Sequence, residues 1–341
     1  MRERTRKLVA TILLLCVAQA KCGAVVLTGL VAFGDSLSDV GNMYDLVVGL
    51  GGQAAAIAVG INPNFYDVGR WSNGPLWVED VNNRLGFTNL TQNNGTDASG
   101  LDFAWGGATS GSGYSYTVLN NLLTQVGNYS SLLGTNPAQL PNPATTLYTV
   151  WAGGNDVTDY VGGNTSVTPN SVAANLATAI TSLYNDGGRY FLVPNLPPLG
   201  NKPDYLNTGN ETIANDFVTL YNTDLANTLS GLEVSLPDVT IVSYDVHGLF
   251  EDVLTNPGDY GISNVTAPAF VNDPDGSAPF GSVVSNPNNY LFWDNTHPTT
   301  TIQMDMGEQV YDAVIAAIPE PAMGVWLGGV GVVLMLARRR R

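Results

Sequence analysis

Cysteine is nearly absent from this 341-residue chain, with only Cys16 and Cys22 present. Cys16 falls in a leader segment (below), which leaves one thiol and no internal disulfide, so stability has to come from a buried core. Basic residues are scarce as well. Of the 13 Lys and Arg, four lie within the first seven residues and four close the chain, so the stretch 21–318 keeps only Lys21, Arg70, Arg84, Arg189 and Lys202. Five cations against 27 acidic residues give that stretch a net charge of −22, beside −16 for the whole chain. So acidic a body repels nucleic acid and anionic lipid surfaces, and nucleic-acid binding is excluded. Histidine is limited to His247 and His297. Charged residues amount to 12% and hydrophobic ones to 44%, which excludes a disordered chain and supplies a sizeable core. The 38 glycines and 19 prolines follow no short period, and no 20–50-residue repeat is visible, which excludes collagen-like and solenoid architectures.

Both ends have the composition of targeting segments. Residues 1–7 are basic, 8–18 form an apolar run, and Ala18-Gln19-Ala20 is a small-x-small cleavage site, the layout of a secretory signal peptide. Lys21, bulky and charged, stands before Cys22 and argues against a lipid anchor there. At the other end Pro319-Glu320-Pro321 breaks the preceding helix, residues 322–337 are apolar, and Arg338 to Arg341 follow. That run is 16 residues long, short against the roughly 20 needed to span a bilayer. The arginines would stay cytoplasmic. This tripartite tail resembles the PEP-CTERM sorting signal of Gram-negative bacteria. The resemblance implies a transient membrane stop removed by an exosortase-type enzyme, and the plain alternative is a permanent anchor. The expected organisation is a signal peptide at 1–20 for signal peptidase, one domain at 21–318 and a sorting signal at 319–341. The expected location is secreted or at the cell surface or matrix, with the tail first in the inner membrane.

Within the body, short β-branched and aromatic runs at 30–33, 147–151, 190–193 and 239–244 read as strands buried on both faces. Between them, 75–85, 171–184, 213–232 and 300–318 read as helices; Val172, Leu176, Ile180 and Leu183 recur at three- and four-residue intervals. Strands alternating with helices predict a mainly parallel sheet in a three-layer α/β/α sandwich, with the active site at the carboxyl ends of the strands. Stretches 88–100, 161–170 and 255–288 read as loops.

At the end of the first strand, Gly34-Asp35-Ser36 forms a turn that leaves Ser36 exposed as a candidate nucleophile; read alone, such a serine equally serves as a cap or turn former. It is not a Gly-x-Ser-x-Gly elbow, because Ser38 takes the second glycine's place. A serine needs a base. His297 lies in Asp294-Asn295-Thr296-His297-Pro298, where Pro298 suits a first helical position and holds His297 on a loop. Asp294, three residues earlier, can curl back onto one ring nitrogen and leave the other to face a serine. The alternative is that His297 merely caps the last helix. His247, beside Asp245, reads as structural. Donors for an oxyanion are available at Gly106-Gly107 and at the Asn155 amide, though both sequences are ordinary in turns. Asn272-Asp273-Pro274-Asp275-Gly276 lacks the bidentate Glu of a calcium loop, and Pro274 takes a ligand position.

Together, Gly34-Asp35-Ser36-Leu37-Ser38-Asp39, Phe103-Ala104-Trp105-Gly106-Gly107-Ala108, Gly153-Gly154-Asn155-Asp156 and Asp294-x-x-His297-Pro298-Thr299 resemble the GDSL (SGNH) esterase and lipase family over about residues 30 to 317. Gly69-Arg70-Trp71-Ser72-Asn73-Gly74-Pro75 and Asn195-Leu196-Pro197-Pro198-Leu199-Gly200 are similar too. The resemblance implies the flavodoxin-like SGNH hydrolase fold and a secreted serine esterase or lipase. Ser36 would be the nucleophile, His297 the base and Asp294 its orienting acid. The oxyanion hole would be the Ser36 N–H, the Gly107 N–H, with Gly106 as its alternative, and the Asn155 side chain. It implies an ester substrate, lipid or acylated glycan, and no metal or cofactor. Trp105, where the family often has a small residue, is expected to narrow the mouth of the site. The competing class is a catalytically silent surface or matrix protein that binds glycan on the same fold.

If 319–341 is a sorting signal, extracellular material should yield a C-terminal peptide ending before Pro321. Protein of full C-terminal mass, extractable only with detergent, would point to a permanent anchor instead.

Overall fold

A computed structural model describes residues 25–88, 90–93, 101–111, 120–271 and 281–318. Residues Thr28–Val314 form one compact unit; of the other, Met1–Leu27 with Ile315–Arg341, only 25–27 and 315–318 are described. The leader 1–20, the tail 319–341, the stretch 94–100 and the loop 272–276 lie outside the described residues. Among the described residues no helix is long and apolar enough to cross a membrane.

Strands β1 (Gly29–Gly34), β2 (Thr146–Trp151), β3 (Tyr190–Pro194) and β4 (Thr240–Tyr244) form a parallel sheet in that order. The far side of β1 is paired by 101–105: Ala32 N–H donates to Leu101 O at 2.9 Å, Phe103 N–H to Ala32 O at 2.8 Å and Trp105 N–H to Gly34 O at 3.0 Å. Counting this segment, the chain-order numbers across the sheet run second, first, third, fourth, fifth, the flavodoxin-like order. That order reverses at β1, and ligands bind at the carboxyl end of such a switch point. The last β1 residue is secured by Gln125, which is 1% exposed. Gly34 N–H donates to Gln125 Oε1 at 2.9 Å, and Nε2 returns a bond to Gly34 O at 2.7 Å. The N–H and the carbonyl of Gly34, two residues before Ser36, are thereby paired.

Eight α-helices are described: α1 (Asn42–Ala58), α2 (Trp77–Arg84), α3 (Leu122–Thr135), α4 (Gly154–Val161), α5 (Pro169–Asn185), α6 (Gly209–Ser235), α7 (Val246–Thr255) and α8 (Thr300–Ala317). Val31, Phe33, Tyr148, Val150, Phe191 and Val193 of the strands share one core with α3, α5 and α6. Leu30, Ala32, Leu147 and Leu192 alternate with them and are also fully buried, as a sheet covered on both faces requires. On that second side Trp77 of α2 meets Trp151 of β2 edge-on at 5.6 Å. Helix α2 lies so close to α8 that a Cβ on Gly307 would stand 2.7 Å from Asp80 Cβ. The result is the three-layer α/β/α sandwich that the alternation predicts.

Four details differ from the sequence reading. Strand β4 is the sheet edge, with Ser243 exposed, so it is not buried on both faces. The stretch 255–288 contains short strands: β5 (Asn264–Pro268) pairs with β8 (Tyr290–Phe292), and β6 (Phe270–Val271) with β7 (Ser282–Val283). Their Val, Thr and Phe residues favour pairing, and Pro268 stops β5. Pro298 does not open α8, which begins at Thr300; it bridges back to Phe292, and Thr299 O accepts the N–H groups of Ile302 and Gln303. Helix α1 has no clear apolar period and carries Gly49, Gly51 and Gly52; at Gly52 (φ +69) the backbone leaves helical geometry and the element kinks.

Candidate active site

The turn after β1 is built by Asp35. Its carbonyl accepts the N–H groups of Ser38 and Asp39, both at 3.0 Å, and its Oδ1 accepts that of Leu37 at 3.0 Å. Ser36 is carried on this turn but is only 8% exposed. It is recessed rather than exposed at the strand end, because Leu37, Asn155 and His297 stand around it in a pocket wall.

His297, 261 residues later, points Nε2 at Ser36 Oγ across 2.9 Å. Its Nδ1 lies 2.7 Å from Asp294 Oδ2. The loop folds this way because Asp294 Oδ1 accepts the backbone N–H groups of Thr296 (2.8 Å) and His297 (2.7 Å), a local turn that aspartate side chains favour. The His297 carbonyl then accepts the N–H of Trp293 at 2.7 Å. Burial pushes the Asp294 carboxyl upward, but the charge and hydrogen bonds of His297, with the Thr296 N–H, outweigh it and hold the group below the usual carboxylate range. The structure therefore brings Ser36, His297 and Asp294 into one line.

Of the oxyanion candidates, Asn155 sits in the first turn of α4 and lines the pocket with Ser36. Its Nδ2 donates to Ala108 O at 2.9 Å, which leaves the second hydrogen of that amide. Gly106 commits its N–H to Asp39 Oδ2 at 2.7 Å. Gly107, at φ +81, has no such bond among the described residues, but it does not line the pocket. Trp105 does not narrow the mouth. It is 2% exposed and packs into a second core with Met43, Tyr66 and Trp293, because an indole on this turn is driven inward by its apolar area. His247 is on α7, with its N–H on Asn195 Oδ1 at 2.9 Å and its ring 3.9 Å from Glu251, and takes no part in the pocket.

Three contacts escaped the sequence reading. Tyr66 OH donates to Asp294 Oδ2 at 2.8 Å. Trp71 lies against the imidazole at 5.1 Å between ring centroids, tilted 35°. Ser72 Oγ donates to Pro298 O at 2.9 Å. All three come from the segment around Gly69 to Pro75, pinned by the two 2.7 Å bonds of Arg70 to Glu79 of α2. The stretch stood out in the sequence, but no spacing rule joins residue 66 to residue 294. Lys202, 6% exposed, also lines the pocket, with Nζ on Thr296 Oγ1 at 3.2 Å. Otherwise the wall is mainly apolar, with Leu37, Trp151, Phe250, Phe292, Ile302 and Met306 among its residues.

A family model described as GDSL-like Lipase/Acylhydrolase matches residues 30–310. The chain belongs to that family. Membership makes it a carboxylic ester hydrolase. A GDSL esterase/lipase of Arabidopsis thaliana is 26% identical over 316 residues, covering 84% of this chain and 82% of the relative. A phosphatidylcholine-sterol acyltransferase of Aeromonas hydrophila is 27% identical over 238 residues, covering 69% of this chain and 63% of the relative. Among solved structures, an aryl esterase of M. smegmatis matches at a TM-score of 0.44 and 15% identity, covering 85% of this chain and 99% of that one.

Buried carboxyls surround the family's serine turn. Burial pushes Asp35 up to about 7, against the Leu37 N–H and the field of His297. Burial likewise takes Asp39 to about 6, against four backbone N–H groups, and Asp156 to about 6, against Ser110. Asp102 is raised too, by burial and by the neighbouring charge of Asp39. A carboxyl raised in the fold binds protons there that the unfolded chain has released, so it costs stability as pH climbs from its unfolded to its folded value. Thermal unfolding should therefore show Tm falling between about pH 4 and pH 7, and Asp35→Asn should flatten part of that fall. A Tm that rises across this interval would contradict the assignment of the raised carboxyls.

Proposed function

We propose that this hydrolase works through an acyl-enzyme on Ser36. Ser36 Oγ attacks the ester carbonyl while His297 Nε2 takes its proton. Asp294 holds Nδ1–H, fixes the tautomer and stabilises the imidazolium. The charge on the carbonyl oxygen falls to the Ser36 N–H and the free hydrogen of the Asn155 amide, with the Gly107 N–H as the third donor that the family resemblance implies. As the tetrahedral intermediate collapses, the C–O bond to the alcohol breaks and His297 returns the proton to the leaving oxygen. Water, deprotonated by the same imidazole, then attacks the acyl carbon and frees Ser36. The observation that carries this reading is the unbroken relay from Ser36 Oγ to Nε2 at 2.9 Å and from Nδ1 to Asp294 at 2.7 Å.

The apolar wall favours an acyl chain or aromatic alcohol over a bare polar group. A relative named for phosphatidylcholine supports a lipid ester, and an acylated glycan is the other substrate class we propose. We further propose that residues 21–318 act after export, with the leader 1–20 removed by signal peptidase. The tail 319–341 would make transient membrane contact before an exosortase-type enzyme removes it. The basic-apolar-small leader and the Pro-Glu-Pro tail support this.

Hydrolysis of p-nitrophenyl esters across an acyl series, with an O-acetylated glycan, tests the reading. Ser36→Ala and His297→Ala should each lower kcat by at least about 1,000-fold, and Asp294→Asn by less. His247→Ala should leave kcat/KM within about twofold. Retention of more than about a hundredth of the activity in Ser36→Ala would remove Ser36 from the nucleophile role.

A further inference from the structure

Tyr66 and His297 meet on one atom. The phenol donates to Asp294 Oδ2 at 2.8 Å, and the imidazole Nδ1 reaches the same oxygen at 2.7 Å. Tyr66 is 6% exposed. Its ring is held edge-on by Trp71, Phe270 and Trp293 at centroid distances of 6.1, 5.6 and 6.1 Å. The hydroxyl cannot swing to water without breaking that packing. Burial, with the Asp294 charge beside it, pushes the phenol pKa up, so the group stays a donor over the working pH range. Two donors on one carboxylate oxygen compete for its charge, and a donor that stabilises the ionised form lowers its hold on the proton of the other.

We propose that Tyr66 is a positioning residue. Through the oxygen it shares with His297, it fixes the plane of the Asp294 carboxylate and limits how tightly that carboxylate holds the imidazolium formed when Ser36 gives up its proton. The inference rests on the acyl-transfer reading above and adds a fourth member to the relay. Tyr66 is not in the pocket wall, so its influence reaches the ester only through Asp294 and His297.

Loss of the hydroxyl has two consequences that kinetics separate. The imidazolium is held more tightly, so the acidic limb of kcat/KM moves to higher pH. The carboxylate is less well fixed, so kcat falls while KM stays. The other charged groups around the pair are Asp35, which faces the imidazole from the β1 turn, and Lys202, near Asp294 and 3.9 Å from Asp204. Neither changes in the variants below.

The test is a pH profile of p-nitrophenyl ester hydrolysis by the full chain, by Tyr66→Phe, and by the chain carrying 3-fluorotyrosine at position 66, a stronger donor of the same shape. Tyr66→Phe should lower kcat about tenfold with KM within about twofold, and its acidic limb should move up in pH. The fluorinated ring should move that limb down. Opposite displacements are not available to a ring that only fills space. Limbs that stay put in both proteins, or move the same way, would overturn the role. Should Tyr66→Phe fail to fold, the fluorotyrosine protein decides alone, a downward limb for the role and an unmoved one against it. A wild-type chain that hydrolyses no ester sinks the acyl-transfer reading and this one together. An active chain with unmoved limbs removes Tyr66 only.

Discussion

Four donors converge on the carboxylate of Asp294: the backbone N–H groups of Thr296 and His297 on Oδ1, and His297 Nδ1 and the Tyr66 hydroxyl on Oδ2. Two of these bonds are local and shape the loop before α8. The other two give it a direction, since they fix the imidazole and tie it to a segment from the opposite half of the chain. With Nδ1 engaged, Nε2 has one place to go, and β1 delivers Ser36 Oγ there at 2.9 Å. The fold's task is to hold two loops, 261 residues apart, to within a hydrogen bond. The sheet carries Ser36 on the carboxyl end of β1, while α8 and β8 frame His297.

The same compactness explains why the serine turn is acidic and buried. Asp39 gathers the N–H groups of Gly41, Asn42, Met43 and Gly106, and Asp102 those of Val40 and Ala104. These carboxylates replace water for backbone that the tight turn leaves without partners. Burying them opposes ionisation, so the rigidity of the turn is obtained against a cost that grows as pH rises. Gly106 belongs to this scaffold through its N–H, and a Cβ there would stand 2.4 Å from Trp71 Nε1. Trp71 in turn packs on His297. The two adjacent glycines thus divide their roles, one bracing the imidazole and the other keeping its N–H.

What was legible in the sequence was what depends on neighbours. The four sheet strands stand within a residue of their apolar runs; β1, β2 and β3 are covered on both faces and need continuous burial. The pairing of Asp294 with His297 follows from three-residue spacing and turn chemistry. The contact of His297 with Ser36 needed the family resemblance as well, since nothing local links residues 36 and 297. Tyr66 and Gln125 were not legible, because each completes a hydrogen bond whose partner is set by tertiary packing. Trp105 and Ser36 lie deeper than their turn sequences suggest for a related reason: a turn sequence reports backbone shape, not what later segments lay over it.

The central claim is that Ser36, deprotonated by His297, is the atom that receives the acyl group. A fluorophosphonate probe, which phosphonylates an activated serine and stalls there, tests it directly when followed by peptide mass mapping. The expected result is a single adduct on Ser36 that does not form in His297→Ala, with ester hydrolysis lost in step with labelling. An adduct on another residue, or undiminished hydrolysis by fully labelled protein, would contradict the account.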